Sequence, residues 1–264
     1  MSQSWSVSDS AVDESKYDYL MVGEDGTDTN LITKMNKAGT DWLREADRNA
    51  KYTDVAIDLT GGSDNTMYSF QAGYLDQEGI LIWTGYKRYN LQSNITSNVA
   101  DWLEVGERLG ITYSEYMGYQ TNNGESSAIS WAYRMPPMIP VKDIAGNYAG
   151  TRNIMGNAQN PIFILDKNQN DKARQFNASG NLYAKVKILP GLSAKTLFGA
   201  NYYSYNNKDI NYVEKGHAER GTYDYLYETG NFSRQWNWTN TIDYNKTFGS
   251  HNLSVIIGTE DIAY

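Results

Sequence analysis

The sequence predicts an all-β chain, an open curved sheet of about eight antiparallel up-and-down strands of the kind that forms an outer-membrane β-barrel. Three observations predict it: apolar residues recur with a period of two, short and long connections alternate, and aromatic residues cluster near strand ends.

The first fifty residues show no sustained period, and we expect residues 1–50 to be a loop region preceding a barrel portion at 51–264. One short helix is expected there, from Asp41-Trp42-Leu43-Arg44 towards Ala50, capped by Thr40 or Asp41. From Tyr52 the alternation begins, with Val55, Ile57 and Leu59 on one side and Asp54, Asp58 and Thr60 on the other. It returns in Tyr68, Phe70, Ala72 and Tyr74, then in Tyr89, Leu91 and Ile95 against Arg88, Asn90, Gln92 and Asn94. A fourth strand carries Leu103, Val105, Leu109, Ile111 and Tyr113, with Glu107 interrupting its apolar side at what we expect to be an interfacial depth.

A long irregular stretch follows. Alternation resumes in Phe176, Ala178, Leu182, Ala184, Val186 and Ile188, and in Leu192, Ala194, Phe198, Ala200 and Tyr202. The last two strands carry Trp236, Trp238, Ile242 and Tyr244, then Leu253, Val255 and Ile257. Val55, Ile57, Leu59, Leu91, Ile111, Val186 and Phe198 are expected on the convex, lipid-facing side. Asp54, Asp58, Arg88, Asn90, Gln92 and Asn94 are expected to face the lumen.

Tight turns are expected at Gly61-Gly62-Ser63-Asp64, Ser97-Asn98-Val99-Ala100, Leu189-Pro190-Gly191 and Gly249-Ser250-His251, with longer loops between them. Outer-membrane barrels trim their periplasmic turns and elaborate their outer loops. By parity, a strand at 53–60 that descends to a periplasmic turn implies at least one further strand upstream. Tyr74, Tyr89, Tyr113, Tyr116, Tyr202, Tyr203, Tyr205, Trp236 and Trp238 fall near the long loops, and Trp102, Tyr244 and Phe248 near the short turns, as two interfacial girdles require.

Composition removes several function classes. A net charge of -8 would repel phosphate backbones, so nucleic acid is not an expected partner. No run approaches the roughly 20 apolar residues of a membrane helix. A mean hydropathy of -0.62 does not argue against a barrel, because lumen residues are polar. The first residues, Met1-Ser2-Gln3-Ser4-Trp5-Ser6, do not read as a secretion signal. The absence of cysteine removes disulfides, thiolate metal sites and cysteine nucleophiles, and His217 and His251 are the only histidines.

Catalytic, cofactor and metal sites are expected to be none. Asp166-Lys167-Asn168-Gln169-Asn170-Asp171 imitates a calcium loop, but its sixth position is Asp171 where glycine is needed and its twelfth is Asn177 where glutamate is needed, so a solvated loop is expected. Asp54 and Asp58 share a face about 13 Å apart by strand rise, too far for a retaining glycosidase pair. No hydrolase, zincin, phosphate-loop or dinucleotide motif occurs, and the N-x-[ST] sequons read as a by-product of abundant Asn. Trp131, Tyr133, Arg134 and Met135 mix aromatic rings, one guanidinium and adjacent prolines, and are candidate ligand or partner contacts or else a rigid rim loop.

Several phrases resemble the SusC/RagA family of TonB-linked outer-membrane transporters. They are Gly39-Thr40-Asp41-Trp42, Gly61-Gly62-Ser63, the run from Tyr68 to Gly79 and Tyr86-Lys87-Arg88-Tyr89-Asn90, followed by the run from Asn98 to Gly106. The resemblance continues in the run from Tyr133 to Val141 and in Gly146-Asn147-Tyr148-Ala149-Gly150, spanning roughly residues 39–205. Against a family barrel of roughly 22 strands, it implies a segment of about a third, without signal peptide, plug or terminal strands. It also implies an outer-membrane segment that helps import a large nutrient, an oligosaccharide or oligopeptide, with a SusD-like surface lipoprotein and the TonB complex as partners, lipid around it, and no enzymatic step. The alternative is a stand-alone small β-barrel or sandwich that binds ligand, as an adhesin or carbohydrate-binding module does, with its apolar faces meeting inside.

Overall fold

The computed structural model describes residues 39–118, 124–142, 147–151, 156–214, 216–217 and 221–264. Residues 1–38 of the expected leading loop lie outside the described residues.

Among the described residues eight strands form one antiparallel sheet in sequence order. They are β1 (Tyr52–Gly62), β2 (Thr66–Glu78), β3 (Gly85–Ala100), β4 (Leu103–Met117), β5 (Lys172–Leu189), β6 (Leu192–Asn211), β7 (Tyr225–Phe248) and β8 (His251–Ala263). Each coincides with an alternating run of the sequence, because a period of two is what places one set of side chains on one face. Among the described residues β1 and β8 each pair with a single neighbour, so the sheet they form is open.

The short connections all fall at one end. At the first, Ser63 Oγ accepts from Thr66 N at 3.2 Å and Ser63 N donates to Thr66 O at 2.7 Å. β3 runs on to Ala100, so the second turn sits at Asp101-Trp102, later than the expected Ser97–Ala100, and a register shift between Asn98 and Ala100 absorbs the difference. Gly191, with φ 87, and Gly249, with φ 61, occupy the left-handed region that lets the last two turns reverse tightly.

The apolar residues do not enclose a dry interior. Val55, Ile57, Leu59, Leu91 and Phe198 are exposed, and Ile111 and Val186 half-buried. This excludes a sandwich, whose two inner faces would bury them against each other. Across the sheet Ile57 pairs with Ala72, Ala72 with Leu91, Leu91 with Ile111 and Ile111 with Ala178, making a continuous apolar band.

Towards the long-loop end that band closes with an aromatic row, Tyr74, Tyr89, Tyr113 and Phe176, in direct register. The Tyr74 and Tyr89 rings lie 5.1 Å apart and those of Tyr89 and Tyr113 6.3 Å apart. Two residues further on stands a ladder of alternating charge, Asp76, Lys87, Glu115 and Arg174. Lys87 Nζ reaches Asp76 at 3.3 Å and Arg174 Nε reaches Glu115 at 3.0 Å. Apolar band, aromatic row and charges follow the order hydrocarbon, interface and water. Tyr116, Tyr203 and Tyr205, expected in the same girdle, have the opposite parity and lie on the polar face. The carboxylate of Glu107 does lie on the apolar face, where it accepts a hydrogen bond from Ser93 Oγ.

The dry core of the chain is elsewhere, in the long connections. Helices α1 (Trp42–Ala46), α2 (Ala128–Arg134) and α3 (Pro161–Lys167) meet through Trp42, Ala46, Trp131, Ile139, Phe163 and Leu165, with Leu81 and Ile82 of the β2–β3 loop packed against them. Asp41 caps α1 by accepting from Arg44 N at 3.1 Å.

Candidate lumen wall and its loop cap

The polar face is built by the alternate positions of the same strands. Asp54 pairs with Leu75 and Leu75 with Arg88, while Asp58 pairs with Gln71 and Gln71 with Gln92. Asn90 lies between Gly73 and Thr112, and Asn94 between Ser69 and Arg108. Directly opposed residues in an antiparallel pair project to one side, so Asp54, Asp58, Arg88, Asn90, Gln92 and Asn94 share this face.

A hollow of about 860 Å³ opens on it, lined by Asp58, Gln92, Asn94, Arg108, Ser179, Asn181, Asn201, Gln235 and Asn237 among others. Glycine makes room for long amides at two places: a Cβ on Gly73 would lie 2.4 Å from Asn90 Oδ1, and one on Gly199 would lie 2.4 Å from Asn237 Oδ1. The amides of β5 to β7 were missed as site residues. The signal was present, since each stands at an odd step from the apolar positions that define its strand.

The loop cap is assembled from two separated stretches of sequence. Thr40 Oγ1 donates to Ile139 O at 2.7 Å, Thr40 N donates to Pro137 O at 2.6 Å, and Trp42 Nε1 donates to Pro136 O at 3.1 Å. The proline-rich run after α2 thereby fixes the approach to β1. Ser127 caps α2, accepting from Ser130 N at 3.1 Å.

Trp131 and Met135, expected as contacts for a ligand or partner, are instead buried in the cap core, because the helical repeat turns both towards α1 and α3. Tyr133 on the opposite side is 76% exposed. Arg134 stands 4.3 Å over the Trp131 ring and donates to Asn157 Oδ1 at 2.7 Å, so its guanidinium is already engaged within the cap.

Asn160 is the hub of the cap. Its Oδ1 accepts from Ile162 N and Phe163 N at the start of α3, and its Nδ2 donates to Val141 O at 3.0 Å and Ala149 O at 2.8 Å. Its backbone N donates to Glu214 Oε1 at 3.2 Å. Burial pushes the Glu214 carboxyl up to about 8 against the pull of that bond. Asp171 is also buried, where a solvated calcium-like loop was expected: it accepts from Ile210 N at 2.9 Å and from Asn168 Nδ2 at 2.5 Å, joining the end of α3 to β6. Burial raises its carboxyl too. No cluster of three or more potential metal ligands occurs among the described residues.

A one-layer antiparallel sheet with an exposed apolar band, an aromatic row, a charge row beyond it and a polar opposite face defines the wall of an outer-membrane β-barrel. The comparisons place it more narrowly. The chain is similar in sequence to proteins named TonB-dependent receptors, SusC among them, and in fold to a chain of the RagAB peptide importer. It is 28% identical over 233 residues to TonB-dependent receptor P3 of Formosa agariphila, covering 84% of this chain and 22% of that protein. It is 23% identical over 253 residues to SusC of Bacteroides thetaiotaomicron, covering 88% of this chain and 25% of that protein. The "open-open" structure of the RagAB peptide importer superposes with a TM-score of 0.67 at 21% identity, over 94% of this chain and 27% of that chain. No family model matches. The chain spans about a fifth to a quarter of the length of these curated relatives. Its place is the outer membrane, and its relatives are receptors and transporters, not enzymes.

Proposed function

We infer that the chain forms part of the wall of a TonB-dependent importer that carries a large nutrient, an oligosaccharide or oligopeptide, across the outer membrane. Residues 51–264 are the wall, and residues 1–50 lead into it. The polar face lines the passage, with Asp54, Asp58, Arg88, Asn90, Gln92 and Asn94 meeting solute, and the apolar face meets lipid. The observation that carries this reading is the pairing of a lipid-type face with a polar hollow on one single-layer sheet.

Nothing covalent happens to the solute. The wall supplies hydrogen-bonding side chains in place of water, and the cap shapes the entrance. A SusD-like surface lipoprotein is the proposed outer partner, with Tyr133 as a contact offered by α2 on the cap's outer surface. The TonB complex is the proposed energy-coupling partner, acting through a plug region. The unpaired edges of β1 and β8 join further strands of the closed barrel, since exposed edges are open to association.

The test is uptake in cells that carry the gene. Removing the segment coding for 51–264 abolishes accumulation of the nutrient on which the gene is induced, and removing TonB has the same effect. Undiminished accumulation in either strain contradicts the reading.

A further inference from the structure

We propose that the apolar face carries a groove across β4 to β7 that seats one anionic lipid of the outer leaflet, its acyl chain over Gly180 and Ala200 and its phosphate on Arg234. The proposal rests on the reading of this face as lipid-facing, and it adds a specific site to it.

A hollow of about 820 Å³ opens on this side of the sheet. In direct register across it stand Leu109, Gly180, Ala200 and Trp236, so the two middle strands present no large side chain between a leucine and an indole. Ala178, two residues from Gly180, continues the low floor on the same face. Leu182 and Phe198, a cross-strand pair, close the hollow towards the short turns. The Phe198 and Trp236 rings stack with centroids 6.0 Å apart and form one wall, and Tyr202 stands beside it. Small residues between large ones make a trough in a surface that is otherwise a flat apolar band, and an acyl chain gains contact on both sides there.

Of the charged residues along the hollow, Glu107 and Arg234 have the parity of this face and Arg108 the opposite one. Glu107 lies at the short-turn end, held by Ser93. Arg234 lies at the other end. Strand tilt lifts the register line up the wall from β4 to β7. Measured from the short-turn ends of their strands at Phe248, Ala100 and Leu189, Arg234, Lys87 and Arg174 therefore stand at nearly the same height, that of the charge row. Lys87 and Arg174 are engaged there by Asp76 and Glu115. Among the described residues no acid pairs with Arg234, which is exposed.

An unpaired guanidinium at headgroup height, with an apolar trough beneath it, complements a molecule that is anionic at one end and hydrocarbon at the other. A phosphate takes two parallel hydrogen bonds from the guanidinium fork. From the Arg234 row to the Leu182 and Phe198 row is four residues of strand, roughly 13 Å by strand rise, a span that takes the upper part of an acyl chain.

The test uses the full chain reconstituted in phosphatidylcholine vesicles holding a trace of phosphatidic acid or of phosphatidylcholine with a photoreactive diazirine on its acyl chain. Mass spectrometry of the crosslinked chain should show phosphatidic acid labelling Leu182, Phe198 and Trp236 about fivefold more than phosphatidylcholine does, the ratio expected of one cation beside an anionic headgroup, while Ile57 and Leu91 take the two lipids alike. Arg234→Gln should bring the two lipids level in the groove. Ala200→Leu, which keeps the face apolar but fills the trough, should lower labelling of Leu182 and Phe198 by either lipid. Equal labelling by the two lipids in the unsubstituted chain, a preference that survives Arg234→Gln, or a groove left unlabelled beside a labelled Leu91, as a covering protein would leave it, overturns the groove alone. Labelling of Asp58 and Gln92 in place of Ile57 and Leu91, or a chain that does not insert, overturns the lipid-facing reading with it. Should a variant fail to insert, the comparison of the two lipids on the unsubstituted chain decides.

Discussion

Glu214 concentrates the electrostatic cost of the loop cap in one residue. The folded chain holds its proton up to about pH 8, while the unfolded chain releases it near the ordinary value of 4.5. Cap stability is therefore full below pH 4.5 and declines as pH rises through 8, the carboxylate form being the one that burial penalises. Asp171, raised by burial as well, adds in the same direction. Limited proteolysis of the cap between pH 5 and 9 should show cleavage accelerating with pH, and Glu214→Gln, which keeps an acceptor for Asn160 N but cannot ionise, should flatten that dependence. Asn160→Ala removes the cap of α3, takes its donor from the Ala149 carbonyl and leaves the Val141 carbonyl with the bond from Ala149 N alone, a loss of about 2–4 kcal/mol. Hydrogen exchange should then report faster opening in residues 156–171 with the strands β1 to β4 unchanged; equal exchange in both regions would contradict the hub role.

Among the elements, adjacent residues of one strand should respond in opposite ways. Ile57→Lys puts a charge on the apolar band and should cost about 2–4 kcal/mol if it lies near the membrane midplane, measured by urea titration of the chain folded into vesicles. Asp58→Lys, on the polar face, should change stability little. The strands were legible in the sequence because alternation is local and each run carries it independently, as in Val55, Ile57 and Leu59. The cap was not. α2 and α3 are seven residues each, too short for a helical period to stand out, and their stability comes from contacts such as Trp42 with Pro136 that join residues 94 apart in the chain. Ser127 and Asn160-Pro161 were legible starts for both helices, and Trp131 and Met135 were read as surface because their burial depends on α1 and α3. The division of the tyrosines between faces was in the sequence too, since Tyr113 and Tyr116 differ in parity, but clustering near strand ends had placed both in one girdle.

For the molecule as a whole, the central claim is that one face of a single sheet meets lipid and the other meets water. The chain has no cysteine, so single cysteines can be placed at will. The most direct measurement is labelling by a membrane-impermeant maleimide, in outer membranes, of cysteines at the neighbouring pairs Ile57 and Asp58, Leu91 and Gln92, and Leu182 and Asn181. The account predicts strict alternation, with positions 58, 92 and 181 labelled and positions 57, 91 and 182 protected until detergent is added. Equal labelling within each pair, or protection of the polar positions instead, would contradict it.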